Sequence, residues 1–218
     1  DRVRMNTLCL AAVTLGQSPA FWAAGCEMLR SKSLDADSRN SGDHFNAIDW
    51  TGQDNGWGRG LPPAEHNFES WIIQADLLAR DELRPTAHDI AAAQAQALDL
   101  LRLRRSTPLF SLGSAELVRE RVSFPVCGPQ AQPGVIVMVI DDGAGEADVD
   151  PALDGVVVVL NATPHEIGQR VDALVGRFLV LSDVQAHGSD PVVRETRFDP
   201  ATGTVTVPAR TVAVLVEP

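Results

Sequence analysis

The feature that most constrains this chain is a change of pattern at Pro108. Before it stands a helix with clear punctuation: Pro85, then Thr86 as N-cap with Asp89 three residues on, a variant of the capping box. Ala91, Leu98, Leu101 and neighbouring alanines carry the helix to about Arg105, and Arg102, Arg104 and Arg105 suit the negative end of its dipole. Beyond Pro108 come strand candidates at Val135–Ile140, Val156–Leu160, Phe178–Leu181, Thr204–Val207 and Thr211–Val216. Gly, Pro and Asp clusters separate them, and Thr202-Gly203 reads as a hairpin turn. The spacing predicts an all-β sandwich and a domain boundary near residue 108. No internal repeat is visible.

The first half reads differently. Val3, Leu8, Leu10, Ala11 and Leu15 recur at spacings that suit an amphipathic or largely buried helix, with Gly16 placed to end it. Pro19 then opens the apolar run Ala20-Phe21-Trp22-Ala23-Ala24, bounded by Gly25, which reads as a buried strand. Helix, short loop and buried strand are an α/β signature. From residue 25 to 70 periodicity vanishes while Gly, Asp, Asn and Ser crowd together around Trp50, Trp57 and Trp71. Tryptophans argue for order, so this stretch reads as a folded binding loop, placed after a strand's carboxyl end where α/β barrels build their sites.

Composition excludes some partners. The 218 residues carry a net charge of −11, from 29 acidic and 18 basic residues, which repels phosphate backbones and anionic lipid heads. No nucleic-acid partner is expected, and no run of about 20 apolar residues suits a membrane span. Cys9, Cys26 and Cys127 form neither a CxxC pair nor a disulfide scaffold and read as free, mostly buried thiols. Residues 1 to 18 lack the shape of a signal peptide, and the chain reads as beginning inside something longer.

Between Arg30 and Asn46 the sequence concentrates groups that hydrogen-bond neutral hydroxyls beside apolar surface, the combination that sugars require. A loop whose polar side chains satisfy its own backbone accounts for the same composition. Asp35 and Asp37 do not begin an EF-hand, because Arg39 and Asn40 sit where a third acidic ligand and the turn glycine belong. The acidic run Asp141, Asp142, Glu146, Asp148 and Asp150 reads as a solvated loop between strands before it reads as a calcium site. His165 and His187 have no partners at ligand spacing, and no nucleophile elbow or phosphate loop occurs.

The same block, Arg30-Ser-Lys-Ser-Leu-Asp35-Ala-Asp37-Ser-Arg39-Asn40-Ser-Gly-Asp43-His44-Phe-Asn46, resembles the RSKSLDxDSxNSGDxFN stretch of pullulanases and plant limit dextrinases, members of the α-amylase clan. Asp49-Trp50, Asn55-Gly56-Trp57-Gly58 and Gly60-Leu-Pro-Pro-Ala-Glu65 with Asn67 are similar to that family's LDW…NNWGxGLPPxExN segment. Arg102-Leu-Arg-Arg-Ser-Thr-Pro-Leu-Phe110 resembles its LRxRxSSPLFRL helix end. Gly128-Pro129, Pro133 to Met138, Pro164-His165-Glu166 and Val207 to Pro218 are similar to landmarks of its C-terminal domain.

The resemblance implies an α/β plus all-β chain: residues 1–107 as the end of a (β/α)8 barrel, with Pro19–Ala24 as its eighth strand, and residues 108–218 as a C-terminal antiparallel β-sandwich. It implies a C-terminal part of an enzyme that hydrolyses α-1,6 branch linkages in starch, pullulan or limit dextrins. The catalytic aspartate, glutamate and stabilising aspartate would all lie upstream, in a missing N-terminal barrel that is this segment's partner. No catalytic residue, metal ligand or cofactor is expected here, calcium being allowed for only in the full-length enzyme. The residue that the resemblance places nearest an α-glucan substrate is Asp43, supported by Arg30, Asn40 and Asn46. Four positions depart from the pattern: Ala23 replaces a histidine, Cys26 an aspartate, Arg39 a tyrosine and His44 a tryptophan. A plant-like member implies a plastid and a bacterial one a secreted or cytoplasmic location, and the sequence does not choose. The competing reading is a noncatalytic carbohydrate-binding or scaffold module working from residues 108–218. That half has only Phe124, Phe178 and Phe198 beyond Phe110, and no Trp or Tyr, from which to build a platform.

Overall fold

The computed structural model describes the chain from residue 1 to 218 except residues 38, 39, 129, 130, 144, 146 and 147. Among the described residues the helices are α1 (Arg2–Thr14), α2 (Asp43–Asn46), α3 (Ala64–Asn67), α4 (Trp71–Leu78), α5 (Ala87–Ser106), α6 (Ala115–Arg121) and α7 (Asp183–Ala186). The strands are β1 (Val122–Ser123), β2 (Val135–Asp141), β3 (Gly155–Asn161), β4 (Ile167–Arg170), β5 (Val180–Leu181), β6 (Arg197–Asp199), β7 (Thr204–Val207) and β8 (Thr211–Glu217). The fold is thus a mixture of helices and antiparallel sheets. It divides into two compact units, Asp1–Phe21 with Gln96–Pro218, and Trp22–Ala95.

In the first unit the strands form a five-stranded sheet of order β1-β2-β3-β8-β5 and a three-stranded sheet of order β4-β7-β6. Val137 pairs with Val159 and Val159 with Ala213, so one face of β2, β3 and β8 carries a row of small apolar side chains. That row joins Ile167, Val205 and Val207 of the smaller sheet, and Leu174 and Val193 of the connections, in one buried cluster. Each such side chain contributes about 1.5–3 kcal/mol by leaving water. The opposite face is buried as well, at Met138, Ile140, Val156, Val158, Val212 and Val214. With both faces covered, the strands read as continuous apolar runs and lack a solvent-facing alternation. Cover on that second face includes α1, which lies against β8.

Side-chain hydrogen bonds fix the start of α5 and the end of α1. Thr86 and Asp89 form the expected capping box, with the Asp89 N–H donating to Thr86 Oγ1 at 3.1 Å and the Thr86 N–H to Asp89 Oδ2 at 2.8 Å. Arg104 does not serve its own helix end. Its guanidinium donates to the carbonyls of Thr14 (2.6 Å), Gly16 (2.8 Å) and Ser18 (3.0 Å), closing the C-terminus of α1. The turn between β6 and β7 is the expected hairpin, with Gly203 at φ +66° donating its N–H to Asp199 O at 2.9 Å.

Several expectations need correction. Pro19–Ala24 forms no strand, and Phe21 is 90 % exposed, because a strand needs a neighbour for its backbone groups and the described residues supply none there. The cysteines are free but not buried: Cys9 and Cys127 are exposed and Cys26 is half-buried. The acidic run is not uniformly solvated. Asp142 is buried, paired with the buried Arg121 and accepting the N–H groups of Val149 (3.1 Å) and Asp150 (2.7 Å). Asp141 pairs with Arg177 at 3.2 Å, while Glu146 lies outside the described residues. Of Phe178–Leu181 only Val180 and Leu181 pair as strand.

Candidate functional site

The second unit has few apolar side chains buried, chiefly Met28, Ile90 and Ala93. Its shape is held by polar side chains bonded to backbone. Gly25, at φ +91°, starts a single turn over Cys26–Met28 that ends at Leu29, itself left-handed at φ +57°. Ser33 and Leu34 are left-handed too, at φ +54° and +63°. Three non-glycine residues in that region within six positions store strain of order 1–3 kcal/mol each, which the surrounding bonds must over-determine.

Those bonds centre on three buried residues. Asn55 donates to Leu29 O (2.8 Å) and accepts from the Trp57 N–H (3.1 Å), while Ser31 N–H reaches Asn55 O at 2.6 Å. Gly56 follows at φ +87°, where an added Cβ would stand 2.4 Å from Ser31 O, so no other residue fits. Asn67 donates to Asp35 Oδ1 (2.9 Å) and Pro63 O (2.9 Å) and accepts from the Ala36 N–H (2.9 Å). Asp35 also accepts from the Ser41 hydroxyl and the Asp37 N–H. Burial raises the Asp35 pKa, but bonds from Ser41, Asn67 and Asp37, with Lys32 nearby, outweigh it and hold the carboxyl below its ordinary value.

Around this scaffold the four candidate residues separate by role. Arg30 is half-buried and donates to Asn46 O at 3.1 Å, and Asn46 donates to Ser41 O at 2.5 Å. Both side chains hold the loop together. Asn40 is exposed, its N–H bonded to Asp37 Oδ2 at 3.1 Å. Asp43 opens α2 after the extended Gly42, is exposed, and among the described residues its carboxylate has no hydrogen bond or ion pair. It therefore does not serve its own turn. Of the departing positions, Ala23 is exposed, Cys26 is half-buried and His44 Nε2 bonds Arg59 O at 2.8 Å, while Arg39 lies outside the described residues. Sequence reasoning missed the part played by Asn55, Asn67 and Arg59. Asn before Gly is the one local signal that could have shown the first.

No group of three His, Cys, Asp or Glu side chains arranged for a metal occurs among the described residues, and no described helix is long and apolar enough to cross a membrane. In the first unit, Phe178 is 68 % exposed and Phe124 is also open. They adjoin β5 and β1, the two opposite edges of the larger sheet, while Phe198 packs on the core, so they do not form one platform.

Residues 52–218 match the family described as alpha-1,6-glucosidases, pullulanase-type, C-terminal. The chain belongs to this family. Across its whole length it is 42 % identical to Pullulanase 1, chloroplastic, of Arabidopsis thaliana, and over 98 % of its length it is 39 % identical to the pullulanase of Klebsiella pneumoniae. A crystal structure of Klebsiella pneumoniae pullulanase complexed with maltotriose superposes on the entire chain with a TM-score of 0.89 at 39 % identity. The chain is a C-terminal portion of such proteins, spanning 23 % of the Arabidopsis pullulanase, 19 % of the Klebsiella one and 20 % of the crystallised chain. Arg30, Asn40, Asp43 and Asn46 precede the family match and lie within the pullulanase alignments.

Proposed function

We propose that this chain is the C-terminal part of a pullulanase-type debranching enzyme, that residues 25–70 form a wall of its α-glucan site, and that the hydrolytic carboxylates reside upstream. Asp43 carries this reading. Its neighbours Asp35, Asn46, Asn55 and Asn67 spend their side chains on the loop, whereas Asp43 is held on a short helix with its oxygens unpartnered among the described residues. A rigid loop around an unused carboxylate suits a neutral sugar, which offers adjacent hydroxyls as donors. The related Klebsiella pneumoniae pullulanase, crystallised with maltotriose, supports an α-glucan as the ligand.

In the finer architecture proposed, residues 1–107 complete a (β/α)8 barrel and residues 108–218 form a β-sandwich from the two sheets. Pro19–Ala24, which forms no strand here, would be the barrel's eighth strand once a neighbour is present. The exposed Phe21, Phe68, Ile72 and Ile73 would be covered by the same addition. A retaining glycosidase needs two carboxyl groups about 5 Å apart. By resemblance both lie outside this segment, so the purified 218-residue chain should release no reducing ends from pullulan above a buffer control. Turnover by the isolated chain would contradict the proposal.

A further inference from the structure

Among the described tryptophans Trp50 is the exposed one, 69 % open, whereas Trp22, Trp57 and Trp71 are half-buried. Beneath it the backbone is unusually well fixed. The Asp49 carboxylate accepts the Thr51 N–H (2.9 Å) and hydroxyl (2.6 Å) and the N–H groups of Gln53 (3.1 Å) and Asp54 (2.9 Å). The hydroxyl and N–H of Thr51 and the other N–H groups hold the Asp49 carboxyl ionised, its pKa down at about 2. Arg59 then joins this turn to α2: its guanidinium donates to His44 O (3.2 Å), Ala47 O (3.3 Å) and Asp54 Oδ2 (3.2 Å). One cation thus ties the helix that carries Asp43 to the turn that carries Trp50.

A turn that buries no large apolar group gains nothing in core stability from so many bonds. It pre-organises what it displays, an indole with two rotatable angles. A glucose ring has an apolar C–H face and a rim of hydroxyls, so it takes an aromatic face and a nearby carboxylate as complementary partners. We infer that Trp50 stacks on a glucosyl ring of the α-glucan chain, with Asp49 and Arg59 as the residues that position it. The inference rests on the α-glucan reading of Asp43 and adds a second contact, of different chemistry, to the same site.

The test is affinity electrophoresis of the 218-residue chain through gels containing soluble amylopectin, with maltoheptaose as competitor. The parent chain is retarded and maltoheptaose relieves it. Trp50→Ala loses about fivefold or more in apparent affinity, the size of one aromatic contact, while Trp50→Phe keeps most of it. Asp49→Ala weakens retardation and Asp49→Asn, whose amide oxygen still accepts, restores part of it. Melting temperatures stay close to the parent's for both Trp50 variants, since an exposed side chain is changed. If Trp50→Ala is retarded like the parent while Asp43→Ala is not, Trp50 is no platform and the glucan reading of Asp43 stands. If the parent itself runs unretarded, both fail.

Discussion

Asp99 of α5 is buried and accepts the Ser189 N–H (2.7 Å) and hydroxyl (2.8 Å) and a bond from Arg102 (2.7 Å), holding the segment after α7 against the helix. Burial raises its pKa, but those bonds outweigh it and leave it below the ordinary 3.8. The stability it contributes is therefore complete above the unfolded value and lost as pH falls through the lower folded one. Asp99→Ala should destabilise the first unit by about 2 kcal/mol at neutral pH, leaving Ser189 unpaired, and flatten the acid limb of melting temperature against pH. An unchanged acid limb would show that Asp99 does not report folding. Gly56 gives a second case, in the other unit. Gly56→Ala pushes a Cβ to 2.4 Å from Ser31 O at φ +87°, whereas Gly42→Ala meets nothing within 4 Å. Amide hydrogen exchange over residues 29–67 should accelerate strongly in the first and hardly change in the second.

At the scale of elements, what could be read from sequence was what local chemistry decides. β2, β3, β7 and β8 were legible because valine-rich runs between turn residues have few other fates, and the start of α5 because Thr86 and Asp89 cap it whatever surrounds them. β1 and β4 are short, β4 largely polar in Gly168-Gln169-Arg170, and become strands only through neighbours distant in sequence, while the three residues of β6 pair with β7 across their hairpin turn. Pro19–Ala24 is the converse: its composition suits a strand, and pairing is what it lacks. In residues 25–70, composition located the polar concentration but could not say which side chains were already engaged. Arg30 and Asn46 hold carbonyls, the Asp43 carboxylate has no partner among the described residues, and only the folded backbone distinguishes them. Hydrogen exchange of the isolated chain should find the amides of Phe21–Ala23 unprotected and those of β3 the slowest. Protection at Phe21–Ala23 would mean that the segment finds a strand partner within this chain.

Over the whole molecule, the first unit rests on a large apolar cluster and the second on hydrogen bonds around Asp35, Asn55 and Asn67. Hydrogen-bonded loops open at lower cost than packed sheets. Trypsin should therefore cut first between Trp22 and Ala95, beginning at exposed Arg80, and leave a resistant product containing the strands. Equal resistance of the two units would show a closed core in residues 22–95 that the burial pattern does not display. The central claim, that Asp43 is kept open for an α-glucan, is tested most directly in the full-length enzyme carrying this segment, by comparing Asp43→Asn with the parent on pullulan. A charge-assisted bond to a sugar hydroxyl is worth about 1.5–3 kcal/mol, so kcat/KM should fall by about tenfold to a hundredfold with the melting temperature unchanged. A melting temperature lowered by several degrees with kcat/KM preserved would make Asp43 a structural residue and contradict the account.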